Sequence, residues 1–243
     1  MASEPYLESI CLRRERVSSW DEHPFDVPAI RSLDSLPVHP HVTFFVGENG
    51  TGKSTLLEGI AVLEGFNPEG GNRSYDFATR ETHSKKLPVA LGAKRGPRGK
   101  LRRDGFFLRA ESFYNTVSYA DQVGYGLSGD RSHHELSHGE SFLALMTDRL
   151  RGGGLYLFDE PEAALSPQRQ LAFLVRLHEL VQKDSQFIIA THSPIIMAYP
   201  GAWIYCFSPR GIERVAYKET EHYKVTHAFM ARTDKLLMDL LAE

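Results

Sequence analysis

Long apolar runs, clustered cysteines and a strong excess of either charge are all missing from this sequence of 243 residues. No stretch approaches the roughly 18 apolar residues of a membrane span, so we expect no membrane insertion by this chain. Residues 1–10 lack the basic start and apolar run of a secretory signal. Together these absences favour a cytoplasmic protein.

The net charge and the two cysteines exclude few further kinds of site. Cys11 and Cys206 make neither a disulfide framework nor a metal cluster, and two buried thiols in a reducing compartment are expected. A net charge of -3 does not by itself predict nucleic-acid binding. The dense basic run at residues 94–103 is more often a solvated loop than a nucleic-acid surface, and both interpretations stay open.

What is present is an alternation of short apolar segments with helical patterns, which predicts an α/β fold with a mostly parallel sheet flanked by helices. The β pattern covers 6–17, 41–46, 105–109, 155–158, 186–190, and a hairpin at 203–207 and 212–217. The helical pattern covers 53–64, 137–150, 167–183 and 226–241. We expect one domain over 1–243, in which about 67–150 forms a variable loop and a small helical lobe.

The segment 47–54 matches the phosphate-binding pattern G-x-x-x-x-G-K-[ST] in full. It follows a predicted strand and opens a predicted helix, where backbone N–H groups and the helix N-terminus favour an anion. Lys53 is expected to reach the β- and γ-phosphates of a nucleotide, and Ser54 to offer its hydroxyl to Mg²⁺. The predicted nucleotide-binding residues are Gly47, Glu48, Asn49, Gly50, Thr51, Gly52, Lys53, Ser54 and Thr55.

Two acids, Asp159 and Glu160, end a predicted buried strand, where their charge is costly without a cation or partners. In a Walker B interpretation Asp159 holds Mg²⁺ and Glu160 is the general base for water. Because neighbouring strand residues point to opposite faces, a local bend is needed for both to reach a nucleotide. The competing interpretation is an acidic cap on the following turn.

Three further segments complete a recognisable order of motifs. They are Leu136-Ser137-His138-Gly139-Glu140, Ala164-Leu165-Ser166-Pro167 after Asp159-Glu160-Pro161-Glu162, and Thr191-His192-Ser193-Pro194. With the phosphate loop, this set resembles the ABC ATPase superfamily, and within it the soluble SMC, RecF and OLD-type ATPases. The resemblance implies an N-terminal antiparallel β part and a small helical signature lobe beside the parallel sheet.

The resemblance also implies a mechanism. Ser137, His138, Gly139 and Glu140 would contact the γ-phosphate of ATP held by a second copy, giving an ATP-sandwiched homodimer. His192 would orient water at the γ-phosphate, so the implied catalytic set is Glu160, His192 and Lys53. Ser137 and Glu140 also fit a capping box, an interpretation compatible with the first.

Several positions depart from the family pattern. His138 stands where glycine is usual, and no glutamine follows the strand at 105–109, which leaves Glu111 as the nearest candidate for a metal contact and Gln122 as a weaker one. An adenine-stacking aromatic is unassigned among Tyr6, Trp20 and Phe25. His133, His134 and His138 lack the partners of a zinc site.

These features favour a soluble ATPase that dimerises on ATP and drives a conformational change in a protein or nucleic-acid partner, as in repair or defence. The first alternative is the ATP-binding subunit of a transporter with a separate permease. The second is a nucleotide switch with little turnover. The 82 residues between Ser54 and Ser137 are too few for a long coiled coil.

Overall fold

The computed structural model describes residues 4–71, 86–100, 104–109 and 138–242. The strands are β1 Leu7–Leu12, β2 Ser35–Pro37, β3 Val42–Val46, β4 Leu91–Arg95, β5 Asp104–Arg109, β6 Gly154–Asp159, β7 Gln186–Ala190, β8 Trp203–Ser208 and β9 Gly211–Val215. The α-helices are α1 Pro28–Arg31, α2 Lys53–Leu63, α3 Lys86–Ala90, α4 His138–Ala144, α5 Pro167–Gln182, α6 Glu221–Ala231 and α7 Thr233–Leu241.

The described strands form two sheets. A six-stranded sheet has the order β5-β6-β7-β3-β8-β9, in which all neighbours are parallel except β8 and β9. An antiparallel three-stranded sheet has the order β2-β1-β4. The expected α/β fold with a mostly parallel sheet and an N-terminal antiparallel part is confirmed.

Alternating side chains of the main sheet supply two separate hydrophobic cores. On one face Phe45, Leu157 and Ile188 pack with α1, α2 and the antiparallel sheet. On the other face Phe44 and Phe158 pack with residues of α4 and α5. Because both faces are covered, the central strands β3, β6 and β7 are buried at every position.

The side chain of Gln186 joins the two sheets. Its Oε1 accepts hydrogen bonds from the backbone N–H groups of Tyr6 (3.0 Å) and Leu7 (2.9 Å), and its Nε2 donates to the carbonyls of Leu7 (2.8 Å) and His39 (2.9 Å). Gln186 is fully buried, so these bonds satisfy groups that water does not reach. The N-terminal strand is thereby held at the start of β7.

Several elements differ from the sequence-based expectations. The N-terminal strand ends at Leu12, because residues 14–16 form a 3₁₀ turn, and the polar stretch 67–104 contains α3 and β4, which were not predicted. The helix expected at 137–150 is α4 from His138, continued by a π-helical turn at Leu145–Arg149. The C-terminal helix predicted at 226–241 begins earlier, at Glu221, and is interrupted at Arg232.

Cys11 and Cys206 are free thiols, but both are half-buried rather than buried. In the part of the chain that the structure describes, no helix is long and apolar enough to cross a membrane.

Candidate functional site

The phosphate loop lies between β3 and α2, and its glycines have backbone angles that other residues rarely adopt. Gly47, Gly50 and Gly52 have φ values of 138°, 77° and 96°. A Cβ on Gly47 would lie 2.3 Å from the carbonyl oxygen of Phe207 on β8. The residue that caps α2 is Gly52, so no side chain caps the first turn of the helix, where an anion would bind.

Lys53 is buried at the start of α2, with 4% of its surface exposed. Its Nζ donates to the carbonyl oxygens of Gly47 (2.8 Å) and Glu48 (2.9 Å), so the ammonium lies inside the loop. Burial lowers the pKa of Lys53, while the charges of Glu160 and Asp159 act in the opposite direction. A cation held by two neutral carbonyls is well placed to bind a phosphate, which is a stronger partner.

Ser54 and Asp159 meet at the carboxyl ends of β3 and β6. The Ser54 hydroxyl donates to Oδ1 of Asp159 at 2.8 Å, and Asp159 is 6% exposed. A hydroxyl and a carboxylate in contact are the hard oxygen ligands that Mg²⁺ prefers, so the residues present fit this metal. Ser54 and Asp159 are both predicted from the sequence to hold Mg²⁺.

Arg109 ends β5, the strand beside β6, and sequence reasoning did not identify it. Its Nη1 lies 2.8 Å from Oε2 of Glu58 on α2, and its Nε lies 3.8 Å from Oδ2 of Asp159. The guanidinium therefore offsets part of the acidic charge beside the phosphate loop. The sequence feature that could have identified Arg109 is a basic residue at the carboxyl end of a predicted strand.

Glu160 supplies the bend that two acids at one strand end require. Its backbone has φ 51° and ψ 52°, a left-handed conformation that costs a non-glycine residue about 1–3 kcal/mol and concentrates at functional sites. Its N–H donates to the carbonyl of Ala190 on β7 at 2.9 Å. Its side chain makes no capping bond to the turn at Pro161–Ala164, against the acidic-cap interpretation.

His192 follows β7 and lies beside Glu160. Its Nε2 is 3.7 Å from Oε1 of Glu160, and its Nδ1 is 3.0 Å from Nε2 of His222 on α6. Burial lowers the pKa of His192, and the nearby Lys53 charge lowers it further. The site therefore favours the neutral imidazole.

Glu162 holds the loop that carries His192. Its carboxylate accepts hydrogen bonds from the His192 backbone N–H at 2.5 Å and from the Thr191 hydroxyl at 2.8 Å. Burial raises the pKa of Glu162, against the hydrogen bonds that it accepts. From the sequence, Glu162 was noted only as part of the Asp-Glu-Pro-Glu motif, and no role was predicted for it. His222 was not predicted as a site residue, because no motif surrounds it.

The signature segment begins α4 beside the segment after β6. A Cβ on Gly139 would lie 2.5 Å from Nη1 of Arg169 and 3.0 Å from the carbonyl oxygen of Ala164. Nη2 of Arg169 is 3.4 Å from Oε1 of Glu140. Ser137 and the side chain of His138 lie outside the described residues, as do Glu111, Gln122, His133 and His134.

Among the candidate adenine-stacking aromatics, Tyr6 and Phe25 are buried in the core, and the Tyr6 hydroxyl donates to the carbonyl of Asp184 at 3.0 Å. This leaves Trp20 of the three, half-buried, with Arg14 and Arg31 at 5.5 and 5.6 Å from its ring centroid.

In the basic run 94–103, each basic side chain that the structure describes has an acidic partner. The pairs are Lys94 with Glu8, Arg95 with Glu64 and Arg98 with Asp184. These pairs favour the solvated, structural interpretation of this run over a surface for phosphate backbones.

Comparisons with known proteins agree with this motif set. Residues 99–198 match a family model described as "AAA domain, putative AbiEii toxin, Type IV TA system". The chain is 30% identical over 194 residues to the macrolide export ATP-binding/permease protein MacB of Rhodopseudomonas palustris, and 29% identical over 180 residues to the sn-glycerol-3-phosphate import ATP-binding protein UgpC 3 of Rhizobium etli.

The alignments cover 71% and 70% of this chain, and 29% and 52% of those two relatives. The chain therefore spans well under two thirds of the length of either. Among solved structures, a bacterial Atm1-family ABC exporter with ATP bound superposes with a TM-score of 0.52 at 16% identity, covering 94% of this chain and 44% of the exporter chain. That likeness supports the fold alone.

Proposed function

We propose that this chain, whose motif order and sequence relatives are those of ABC-type P-loop ATPases, binds Mg-ATP at residues 47–55 and hydrolyses it with Glu160 as general base. One observation carries the proposal. The ends of β3, β6 and β7 bring together Lys53, the Ser54–Asp159 pair, Glu160 and His192. This is the edge at which parallel sheets bind ligands.

In the proposed reaction Lys53 leaves the loop carbonyls and binds the β- and γ-phosphates. Ser54 and Asp159 would hold Mg²⁺, which when bound supplies positive charge to the phosphates. Glu160 removes a proton as a water oxygen attacks the γ-phosphorus, and the bond to the β,γ-bridging oxygen breaks to release ADP. His192 donates from Nε2 to a γ-phosphate oxygen and orients the water.

We further propose that two copies share each ATP, with the phosphate loop of one copy facing residues 137–140 of the other. At the described start of α4, the half-exposed side chain of Glu140 supports this arrangement. Gly139 packs instead on the carbonyl of Ala164 in its own chain. The position of α4 is thereby linked to the turn after Asp159 and Glu160.

The curated relatives favour a different partner from the one first expected. Their names describe a macrolide export ATP-binding/permease protein and an sn-glycerol-3-phosphate import ATP-binding protein. The second name supports a role as the ATP-binding subunit that works with a separate membrane permease. The description of the matching family model names a putative toxin of a Type IV TA system, which favours the defence-type ATPase as the second candidate. Stimulation of ATP turnover by duplex DNA, measured at low and high salt, would favour the second candidate.

Glu160→Gln tests the mechanism through size-exclusion chromatography with light scattering, with and without Mg-ATP. We expect the variant to bind ATP, to lose turnover, and to change from monomer to dimer only when Mg-ATP is present. Glu179→Gln, at an exposed acid on α5, is the matched control and should hydrolyse ATP at the wild-type rate. Wild-type turnover by Glu160→Gln would refute the assignment of the base.

A further inference from the structure

We propose that His222 is a positioning residue for ATP hydrolysis, which holds His192 in the tautomer that carries a proton on Nε2. This inference rests on the proposed function, because it assigns His192 a donor role at the γ-phosphate. His222 lies on α6, 30 residues after His192, in a part of the chain to which the motifs assign no role.

The geometry determines which ring donates. Nδ1 of His192 and Nε2 of His222 are 3.0 Å apart, so one of these nitrogens carries the shared proton. On the other side of the His192 ring, Nε2 faces the Glu160 carboxylate at 3.7 Å and has no hydrogen-bond partner in the described structure. A carboxylate oxygen only accepts hydrogen bonds when ionised, so it favours N–H at Nε2.

A neutral imidazole with its proton on Nε2 must accept at Nδ1. His222 is then the donor, and its own proton lies on Nε2. The reverse assignment would turn the Nε2 lone pair of His192 toward the Glu160 carboxylate, and would leave His192 unable to donate to a phosphate oxygen. An outer residue that fixes the tautomer of a reacting histidine is a recurring device in enzymes.

His192 and His222 both favour the neutral imidazole. The ring nitrogen that carries the single proton therefore decides which of them donates. Burial lowers the pKa of His192 and of His222, and the charge of Lys53 lowers both further. The acids Glu160, Glu48 and Glu221 oppose this shift.

The start of α6 is anchored to the loop that carries His192. Thr220 caps the helix, because its Oγ1 accepts from the Tyr223 N–H at 3.3 Å while donating to the Tyr217 carbonyl at 2.7 Å. The Tyr217 hydroxyl donates to the carbonyl of Pro194 at 2.8 Å. Since Pro194 is two residues beyond His192, removal of the His222 imidazole leaves the helix and the loop connected.

The experiment compares wild type, His222→Ala and His222→Gln in full-length protein, with His227→Ala as control. His227 is exposed on the same helix and stacks on Tyr223 at 5.3 Å. Two quantities are measured: steady-state ATP turnover, and the ring-nitrogen NMR signals of ¹⁵N-histidine protein, with the His192 signals assigned from His192→Ala.

We expect His192 in wild type to show a protonated Nε2 and an unprotonated Nδ1, and to become a mixture of tautomers in His222→Ala. In that variant kcat should fall about tenfold while KM for ATP stays within about twofold, the pattern for an outer residue that orients a catalytic ring. His222→Gln, whose amide can donate at a similar reach, should recover most of the loss. His227→Ala should match wild type in both measurements.

Two results would overturn the inference: a wild-type His192 protonated on Nδ1, or a His222→Ala variant with wild-type kcat. If His222→Ala lost its melting transition as well as its turnover, the loss would reflect unfolding. The turnover of His222→Gln and the wild-type His192 NMR signals would then test the inference. Wild-type protein that binds ATP without hydrolysing it would instead refute the proposed function, and the NMR result would then decide the positioning claim by itself.

Discussion

At the residue scale, the site combines buried charges that stabilise one another with groups that a nucleotide would engage. Lys53 and Asp159 are both almost fully buried, and Arg109 lies between Asp159 and Glu58. Burying unpaired charge is costly, so these groups are balanced within the protein as it stands. In the proposed mechanism, a bound triphosphate would replace the carbonyl partners of Lys53 with charged oxygens.

Lys53→Ala should weaken ATP binding by about 2 kcal/mol, or about 30-fold in Kd, because it removes a charge-assisted contact to phosphate. Isothermal titration calorimetry with Mg-ATP measures the change. Lys224→Ala, at an exposed lysine on α6, is the matched control and should keep the wild-type Kd. An unchanged Kd in Lys53→Ala would place the phosphates elsewhere.

At the element scale, the phosphate loop depends on close backbone contact between β3 and β8. Gly47 needs both its positive φ and its lack of a side chain, because the Phe207 carbonyl occupies the space of a Cβ. Gly50 has a positive φ as well, yet a Cβ there would meet nothing within 4 Å. A comparison of substitutions at Gly47 and Gly50 therefore distinguishes the cost of the steric clash from the cost of the backbone conformation.

Gly47→Ala should destabilise the protein by at least about 3 kcal/mol, since it combines an unfavourable φ with a clash against backbone. Gly50→Ala should cost only about 1 kcal/mol, from the backbone conformation alone. Urea unfolding followed by circular dichroism gives both values. Equal losses in the two variants would show that the contact with Phe207 is relieved by a small shift of the strand.

At the scale of the whole molecule, two sheets with separate cores have to be held in one arrangement. Phe45 and Phe207 on one face and Phe158 on the other contribute to different hydrophobic clusters. Hydrophobic contacts alone provide no hydrogen-bond partners for the buried backbone N–H and C=O groups where the two sheets meet. Gln186 satisfies them, with four hydrogen bonds to the first residues of the chain's β part and to His39.

Gln186→Ala should lower the free energy of unfolding by about 3–4 kcal/mol, because several buried backbone groups lose their partners together. For a chain of this size that corresponds to a fall of roughly 10 °C in Tm, measurable by calorimetry. Gln182→Ala, at the exposed end of α5, should leave Tm within about 1 °C of wild type. A similar Tm for both variants would mean that water replaces the Gln186 amide.

The sequence by itself determined the features that depend on local pattern. The order of strands and helices around the phosphate loop follows from apolar periodicity, and residues 47–54 and 159–160 form their motifs from consecutive positions. The bend at Glu160 was also implied, because a strand turns adjacent side chains to opposite faces.

Only the tertiary structure decided the contacts between segments distant in the chain. Arg109 reaches Asp159 because β5 pairs with β6, and His222 reaches His192 because α6 packs beside the end of β7. Strand β4 was missed because its pairing with β1, rather than its own composition, stabilises it. Local pattern specifies an element through its own residues, whereas a contact across 30 or more positions depends on where the fold places both partners.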